Sequence, residues 1–526
     1  MKKTLLLFFH ILLCISISAQ QLWTPKDVNQ DDKLIHHAAF YSLNAMQVDA
    51  CATLLKKRIQ EQQLPFSVFD SVGQYPDVLF ILDDYEKGYH LAKERFILPV
   101  FIGNHTPIMD GAKNLKANGS TEIVDQALSA LNKLYSEGMR PQYSTIFTCG
   151  EEGYVSYRIP TVATLPTGRI LAFCESRTRF DSDCAENDII MKYSDDQGKT
   201  WSKLIVAATA DQASLNNPTV VYVEENNEVI VLFQLYPPKM NEGIRKTGAE
   251  GDDVTRILLI RSKDNGLTWS KMEDITKQVK LPDVASLASG PGLAIRVQTG
   301  KHKGRILVPF NAVAGSGGWF NYLAYSDDSG KTWGIIEGHS QYGTNESQLV
   351  ELGNDEFMIN ARCHRFPGDE DKAPQGWNPW NFEKVTRGRG VIRVDIDGNK
   401  GDWEDTEVRL DMPDPLCQGA IYRYSGLKGD EKSILLFVNP ASNLTDSKTK
   451  RTYATTPPIR INGSMGISYD EGETWDIRKR IYGNRFTEYQ YSVPTRLPGN
   501  KIGVIFEANE NIKFAVFDLA WISSDL

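Results

Sequence analysis

The segment Ser194–Trp201, SDDQGKTW, comes back three times: as SKDNGLTW at Ser262–Trp269, SDDSGKTW at Ser326–Trp333 and SYDEGETW at Ser468–Trp475. All four copies share the pattern Ser-x-Asp-x-Gly-x-Thr-Trp. Its chemistry is that of a turn. The Asp carboxylate can accept N–H bonds from its own loop, the Gly supplies a positive φ, and the Trp is expected to cover the core of the sheet it belongs to. No nucleophile stands at a fixed distance from a base, and copies carried on separate units could not converge on one substrate. The repeat therefore reads as scaffold. Calcium binding would require more carboxylates per loop than these copies hold.

The spacing of the copies predicts the architecture. Their starts are 68, 64 and 142 residues apart, so the last interval is about twice the others. A weaker copy fills the gap: VDIDGNKGDW, Val394–Trp403, starts 68 residues after the third and keeps an Asp, a Gly and the terminal Trp. A period of about 70 residues with roughly four short strands in each is the signature of a β-propeller blade. With one further blade to close the ring, the count is six. Runs such as ILAFCES, EVIVLFQL, RILVPFNA and IGVIFE supply the strands, and residues 143–526 read as an all-β, six-bladed propeller. Residues 20–142 have another texture. DACATLLKKRIQEQQ and STEIVDQALSALNKLYSEG carry apolar residues at helical spacing, and DVLFILDD and ILPVFIGN read as buried strands, which predicts a small α/β or α+β accessory domain. Such a domain would serve either targeting or support of the propeller.

The remaining composition narrows the partners. Of 526 residues, 24% are charged, and the net charge of −9 leaves no broad basic surface for a nucleic acid. MKKTLLLFFHILLCISISAQ has the lysines, apolar run and small-residue end of a secretory signal, residues 1–19, so export to the periplasm, the medium or the cell surface is expected. A lipid anchor on Cys14 is disfavoured by the bulky Leu12 and Leu13 before it. No later apolar run reaches the length of a membrane span. Beyond residue 19 six cysteines remain, Cys51, Cys149, Cys174, Cys184, Cys363 and Cys417, without the spacing of a disulfide framework or a zinc site. Cys174 and Cys184 could bridge locally, whereas buried free thiols are the expectation for most.

Chemistry has to come from the segments between the repeats. YRIP occupies Tyr157–Pro160, followed by ESR at Glu175–Arg177 and SDCAEND at Ser182–Asp188. NESQLVEL covers Asn345–Leu352, NAR ends at Arg362, PIRIN carries Arg460, and YSVPTRLPGNKIGVIFE runs from Tyr491 to Glu507. Asp183 lies 25 residues after Arg158, and Glu346 lies 16 residues before Arg362. YRIP, four Asp boxes and this ordered set together closely resemble the bacterial exo-α-sialidases, or neuraminidases, from about Thr145 to the C-terminus. The boxes alone occur in unrelated propellers, so the ordered set carries the resemblance. DPLCQGAI, Asp414–Ile421, also looks like a segment of that family.

The resemblance implies roles that chemistry can check. Arg158, Arg362 and Arg460 would hold the carboxylate of a sialoside, a task suited to planar guanidinium forks. Tyr491 would be the nucleophile and Glu346 its base. Sialidases depart in this way from the two-carboxylate plan of most glycosidases, and a neutral phenol avoids the repulsion an anion would meet at a carbon bearing a carboxylate. Tyr489 is the rival for the nucleophile. Asp183 would be the acid that protonates the leaving oxygen and then the base that activates water, with Asp181 and Asp188 as competitors. Ala185, where the family often has Gly or a similar small residue, is a departure. Glu507 would orient Arg158, and Arg177 would line the pocket near the sugar hydroxyls. Two displacements would retain configuration, with neither metal nor organic cofactor. The expected substrates are sialylated glycans. The alternatives are a transfer-type or intramolecular trans-sialidase, or a non-catalytic sialoside-binding propeller. The last predicts loss of Asp183, Glu346 or Tyr491, and all three are present.

Overall fold

The computed structural model of the chain describes residues 36–62, 66–69, 78–83, 87–88, 91, 98–102, 119–136, 142–179, 182–241, 243, 246–364, 388–427, 432–441, 444–445, 452–453, 460–475, 477–483, 488–519 and 522. The signal segment and Asp181 lie outside the described residues.

Among the described residues, six sheets of four or five strands follow one another along the chain from residue 142 onward, antiparallel except where Gly292–Leu293 joins the second in parallel. Their innermost strands are Ser156–Thr164, Ser214–Val223, Val284–Ser289, Thr344–Gly353, Ala420–Ser425 and Ser492–Leu497, defining blades 1 to 6 in that order. These strands pack on one another around a common axis. Blade 6 takes three strands from the end of the chain and its fourth, Gln142–Phe147, from the start of the propeller, with Phe147 paired to Ile512. The ring therefore closes by main-chain hydrogen bonds, leaving only short protected sheet edges. This closing strand begins at Gln142, one residue before the expected boundary.

The four boxes occupy the turn between the third and fourth strands of blades 1, 2, 3 and 5. In the first, Asp196 Oδ1 accepts the N–H groups of Lys199 and Thr200 at 3.0 and 2.9 Å, Oδ2 accepts the Thr200 hydroxyl at 2.6 Å, and Ser194 Oγ accepts Gly198 N–H at 2.8 Å. Those bonds, led by the Thr200 hydroxyl, lower the Asp196 carboxyl to about 2. The box glycines sit at φ of 81°, 86°, 82° and 83°, where Gly has no steric cost.

The Trp does not cover its own sheet alone. Trp201 of blade 1 meets Phe514 of blade 6 edge-on at 5.4 Å, and Trp269 of blade 2 meets Phe173 of blade 1 at 5.5 Å. Trp333 and Trp475 are buried in clusters containing Ile230 of blade 2 and Met358 of blade 4. The glycines follow the same rule. A Cβ on Gly198, Gly266, Gly330 or Gly472 would lie 2.4 Å from Phe514, 2.8 Å from Leu171, 2.6 Å from Ile230 or 2.6 Å from Met358. Each box is thus a clasp onto the preceding blade. In blade 4 the weaker copy is a plain two-residue hairpin, with Asp397 paired to Lys400 across Gly398 and Asn399. Trp403 still packs against the cluster that holds Val297 and Leu323 of blade 3. Blade 6 has no box because its third and fourth strands are the two ends of the ring.

The accessory region has a parallel four-stranded sheet in the order Phe66–Val68, His36–Tyr41, Val78–Ile81 and Leu98–Phe101. Helices α1, Ala45–Glu61, and α2, Ser120–Ser136, bury Leu55, Ile59, Val124 and Leu131 in one core with Ala38 and Phe40. Parallel pairing makes it α/β rather than α+β. Its first strand, HHAAFY, is short and begins with two His residues, which hid it from a reading by apolar runs. All six cysteines are free thiols, so Cys174, fully buried inside a blade 1 strand, does not bridge to Cys184. Among the described residues no helix is long and apolar enough to cross a membrane.

Candidate active site

Antiparallel strands bring the start of the first strand, the end of the second and the start of the third to one face of the ring. Arg158 and Tyr491 lie at the starts of inner strands, Arg177, Arg362 and Glu507 toward the ends of second strands, and Arg460 just ahead of a third strand. The boxes, at the ends of third strands, lie on the opposite face.

In blade 1 the register with the neighbouring strand shifts between Arg158 and Thr161, and Ile159 sits at φ +54°. A β-branched residue in the left-handed region costs on the order of 1–3 kcal/mol and needs surroundings that hold it. Glu507, 1% exposed, does so: Oε1 accepts Ile159 N–H at 2.6 Å, while Oε2 accepts Arg158 Nε at 2.8 Å. One buried carboxylate thus fixes both the bulge and the guanidinium.

Across the face, the Tyr491 hydroxyl donates to Glu346 Oε1, and Arg362 Nη1 donates to Glu346 Oε2 at 3.0 Å. Burial pushes the Tyr491 phenol well above its usual value and the Glu346 charge adds to this, while Arg362 and Arg460 pull it down. The phenol therefore keeps its proton and aims it at Glu346. The guanidinium carbons of Arg158 and Arg460 stand 5.6 and 5.7 Å from the Tyr491 ring centre. Arg460 is held by Gln490 Oε1 at 2.6 Å and the Leu416 carbonyl at 2.5 Å, and the Gln490 amide donates to Glu488. Burial, with Glu507 nearby, raises Glu488 to about 6. Tyr489, the rival, is 0% exposed and stacks on Phe506 at 5.0 Å, in the apolar core shared by blades 5 and 6. Gly463 leaves room for the Tyr489 ring, since a Cβ there would lie 2.3 Å from it.

Asp183 projects from the loop after the second strand of blade 1 with its side chain 74% exposed, and Oδ1 accepts Arg177 Nη2 at 2.6 Å. Arg177 itself is 1% exposed and also donates to Glu175 Oε2 at 2.8 Å. The expected pocket-lining position is therefore corrected: Arg177 lies beneath the surface, under Asp183. Glu175, also buried, accepts Asn217 N–H at 2.7 Å; burial raises its carboxyl to about 7 against the opposing pull of Arg177. Asp188 accepts the Tyr154 hydroxyl at 2.8 Å at the start of a strand. Ala185 is 1% exposed, so its position admits only a small residue and the departure is sterically mild.

Sequence reasoning missed Glu175, Glu488 and Gln490. The first stands two residues before Arg177 in ESR, and that spacing on a strand was its available signal. Among the described residues no group of three or more His, Cys, Asp or Glu could hold a metal. A cavity of about 330 Å³ lies along the axis toward the opposite end of the inner strands, lined in part by Val162, Leu293, Leu349 and Ile421. It is separate from this constellation, and its one carboxylate, Glu351, is already engaged by the N–H groups of Gln298 and Thr299.

Residues 159–370 match the BNR repeat-like domain. A sialidase of Micromonospora viridifaciens is 26% identical over 382 residues, covering 71% of this chain and 53% of that protein. A sialidase of Bacteroides fragilis is 24% identical over 376 residues, covering 68% of this chain and 61% of that protein. The chain thus spans less than two thirds of the length of these relatives. In structure it is similar to the Hadza microbial sialidase Hz136, with a TM-score of 0.59 at 23% identity, covering 72% of this chain and 69% of that one; this likeness concerns the fold.

Proposed function

We propose that this member of the Asp-box sialidase family is a retaining exo-α-sialidase that hydrolyses terminal sialic acid from glycoproteins, glycolipids and oligosaccharides. The observation that carries the reading is the chain Tyr491, Glu346, Arg362, flanked by Arg158 and Arg460 on the Tyr491 ring. The three guanidinium groups bind the carboxylate of the sugar and so hold the anomeric carbon beside the Tyr491 hydroxyl. Glu346 takes the phenol proton as the oxygen attacks, with Arg362 fixing the orientation of its carboxylate. Asp183, exposed to the side from which an aglycone departs, gives a proton to the leaving oxygen. The sialyl–tyrosine aryl glycoside then breaks when Asp183 removes a proton from a water whose oxygen bonds to the anomeric carbon, while the Tyr491 oxygen departs and takes its proton back from Glu346. Two inversions at one carbon restore the starting configuration.

Two measurements test this. Hydrolysis of a fluorogenic α-sialoside between pH 4 and 8 is expected, and complete inactivity of the intact protein would sink the reading. Proton NMR during turnover is expected to show the α-anomer of free sialic acid first; initial release of the β-anomer would exclude retention. Export through residues 1–19 belongs to the same proposal, and the mature chain is expected to begin at Gln20 when its N-terminus is sequenced from extracellular or envelope fractions.

A further inference from the structure

The segment Asp414–Ile421 takes no part in the steps proposed so far, yet it runs directly beneath the site, ahead of the inner strand of blade 5. It touches the site at three points. The Leu416 carbonyl accepts Arg460 Nη2 at 2.5 Å. Cys417 forms a small buried cluster with Ile159 and Tyr491. Gln418 Oε1 accepts the N–H of Ser492, the residue after Tyr491, at 3.0 Å.

Its backbone is not at rest. Leu416, 4% exposed, sits at φ +55°, a conformation that an L-residue keeps only where its surroundings impose it. Two fully buried ions impose it. Asp414 accepts the N–H of Leu416 at 2.9 Å and that of Cys363, next to Arg362, at 2.7 Å. Arg389, reaching in from the third strand of blade 4, donates Nη1 to the Cys417 carbonyl at 2.6 Å and Nε to Asn360 Oδ1 at 2.8 Å. It stands 3.7 Å from Asp414 Oδ1. Asn360 in turn donates to the Gly419 carbonyl at 2.8 Å, and a Cβ on Gly419 would lie 3.4 Å from Arg389 Cζ, so the segment closes down on the guanidinium. A buried ion pair is a poor source of stability compared with apolar residues of equal volume, and its best-supported use is to specify one arrangement.

We propose that Arg389 and Asp414 are positioning residues: they fix the Leu416 carbonyl and the Cys417 side chain, and through them the Arg460 guanidinium and the floor under Tyr491. The inference rests on the sialidase reading, since its readout is the binding of a sialoside carboxylate by Arg460. It is tested by a double-mutant cycle in the full chain, assayed on a fluorogenic sialoside well below the melting temperature of each variant. Arg460→Lys is expected to raise KM about 10- to 100-fold. Arg389→Lys is expected to raise KM about tenfold with a smaller change in kcat. Because it acts through Arg460, the double variant is expected to match Arg460→Lys within about twofold. A merely structural role would lower the melting temperature and leave the KM effects multiplicative, which would overturn the proposal. Leu416→Gly, which keeps both ions but frees the carbonyl, is expected to show the same loss and the same absorption into Arg460→Lys; it decides the matter if Arg389→Lys does not fold. An unchanged KM in either folded variant also overturns the proposal. Wild-type protein without sialidase activity removes the underlying reading and this inference with it, whereas active wild type with independent effects removes the inference alone.

Discussion

The two faces of the propeller solve the same problem in opposite ways. On the box face, Asp196 meets its partners Ser194, Lys199 and Thr200 within a single eight-residue loop, and the other three boxes repeat the bonds from Ser to Asp, from Gly N–H to Ser and from Thr to Asp. On the other face, decisive contacts join different blades: Tyr491 of blade 6 with Glu346 of blade 4, and Arg158 of blade 1 with Glu507 of blade 6. A locally closed motif can be copied from blade to blade because its own side chains close the turn, and each preceding blade supplies the same two things, an apolar wall and a hydrogen-bond donor to one box carbonyl. A constellation closed over the ring cannot be copied, since every member occupies a unique place around the axis. Stability should therefore be distributed over the box face and catalysis concentrated on the other.

Substitutions can break or sharpen that contrast. The largest effect is expected from Tyr491→Phe, which removes the oxygen proposed as the nucleophile: kcat should fall by roughly three orders of magnitude or more, with a melting temperature close to wild type in the same preparation. A large loss of stability instead would show that the site also carries the fold. Arg362→Lys comes next, replacing a fork that steadies Glu346 with a point charge; KM for a sialoside should rise about 10- to 100-fold, read from initial rates. Gly198→Ala belongs to the box face. With φ at +81° and Phe514 2.4 Å from the new Cβ, it should lower stability by about 2–3 kcal/mol in denaturant titration, while kcat of the folded enzyme stays within about twofold. An equal loss of kcat would mean that the two faces are mechanically coupled.

The smallest expected effect is in pH dependence. Glu488 is raised from 4.5 to about 6, so its proton is bound more tightly in the folded chain than in the unfolded one. The stability it contributes is complete below pH 4.5 and is lost as pH rises through about 6. Glu488→Gln should therefore flatten the fall in melting temperature across that interval, measured by differential scanning fluorimetry. An unchanged slope would assign the titration to another group.

Fold and site were legible to different depths for a physical reason. The boxes announced the blades because local closure leaves a contiguous pattern, and even the missing fifth copy was found by its interval. The physics of the pattern reached the turn but not the wall it rests on: that Gly198 and Trp201 clasp Phe514, far along the chain, is a long-range fact. The site residues were named through a family resemblance, and the structure brings Arg158, Glu346, Arg362, Arg460 and Tyr491 together on one face. Arg177 was misplaced because a sequence cannot distinguish an arginine that faces a pocket from one that supports its neighbour from below. Arg389 lay within an ordinary strand, Gly388–Asp397, and nothing in its immediate sequence marks it as a buried ion.

The strand that closes the ring has a consequence for how the protein is made. Gln142–Phe147 leaves the ribosome ahead of every blade but finds its partner, Asn511–Asp518, only after the strands of all the intervening blades have been made. Until then one sheet edge stays open at each end of a growing arc, a non-local pairing of the kind that folds slowly and invites association with other chains. Because Tyr491 and Glu507 also arrive in that last blade, closure and assembly of the site are one late event. A nascent or truncated chain would carry the arginines of blades 1 and 4 without the phenol they surround, and so would be inert until the circle is complete.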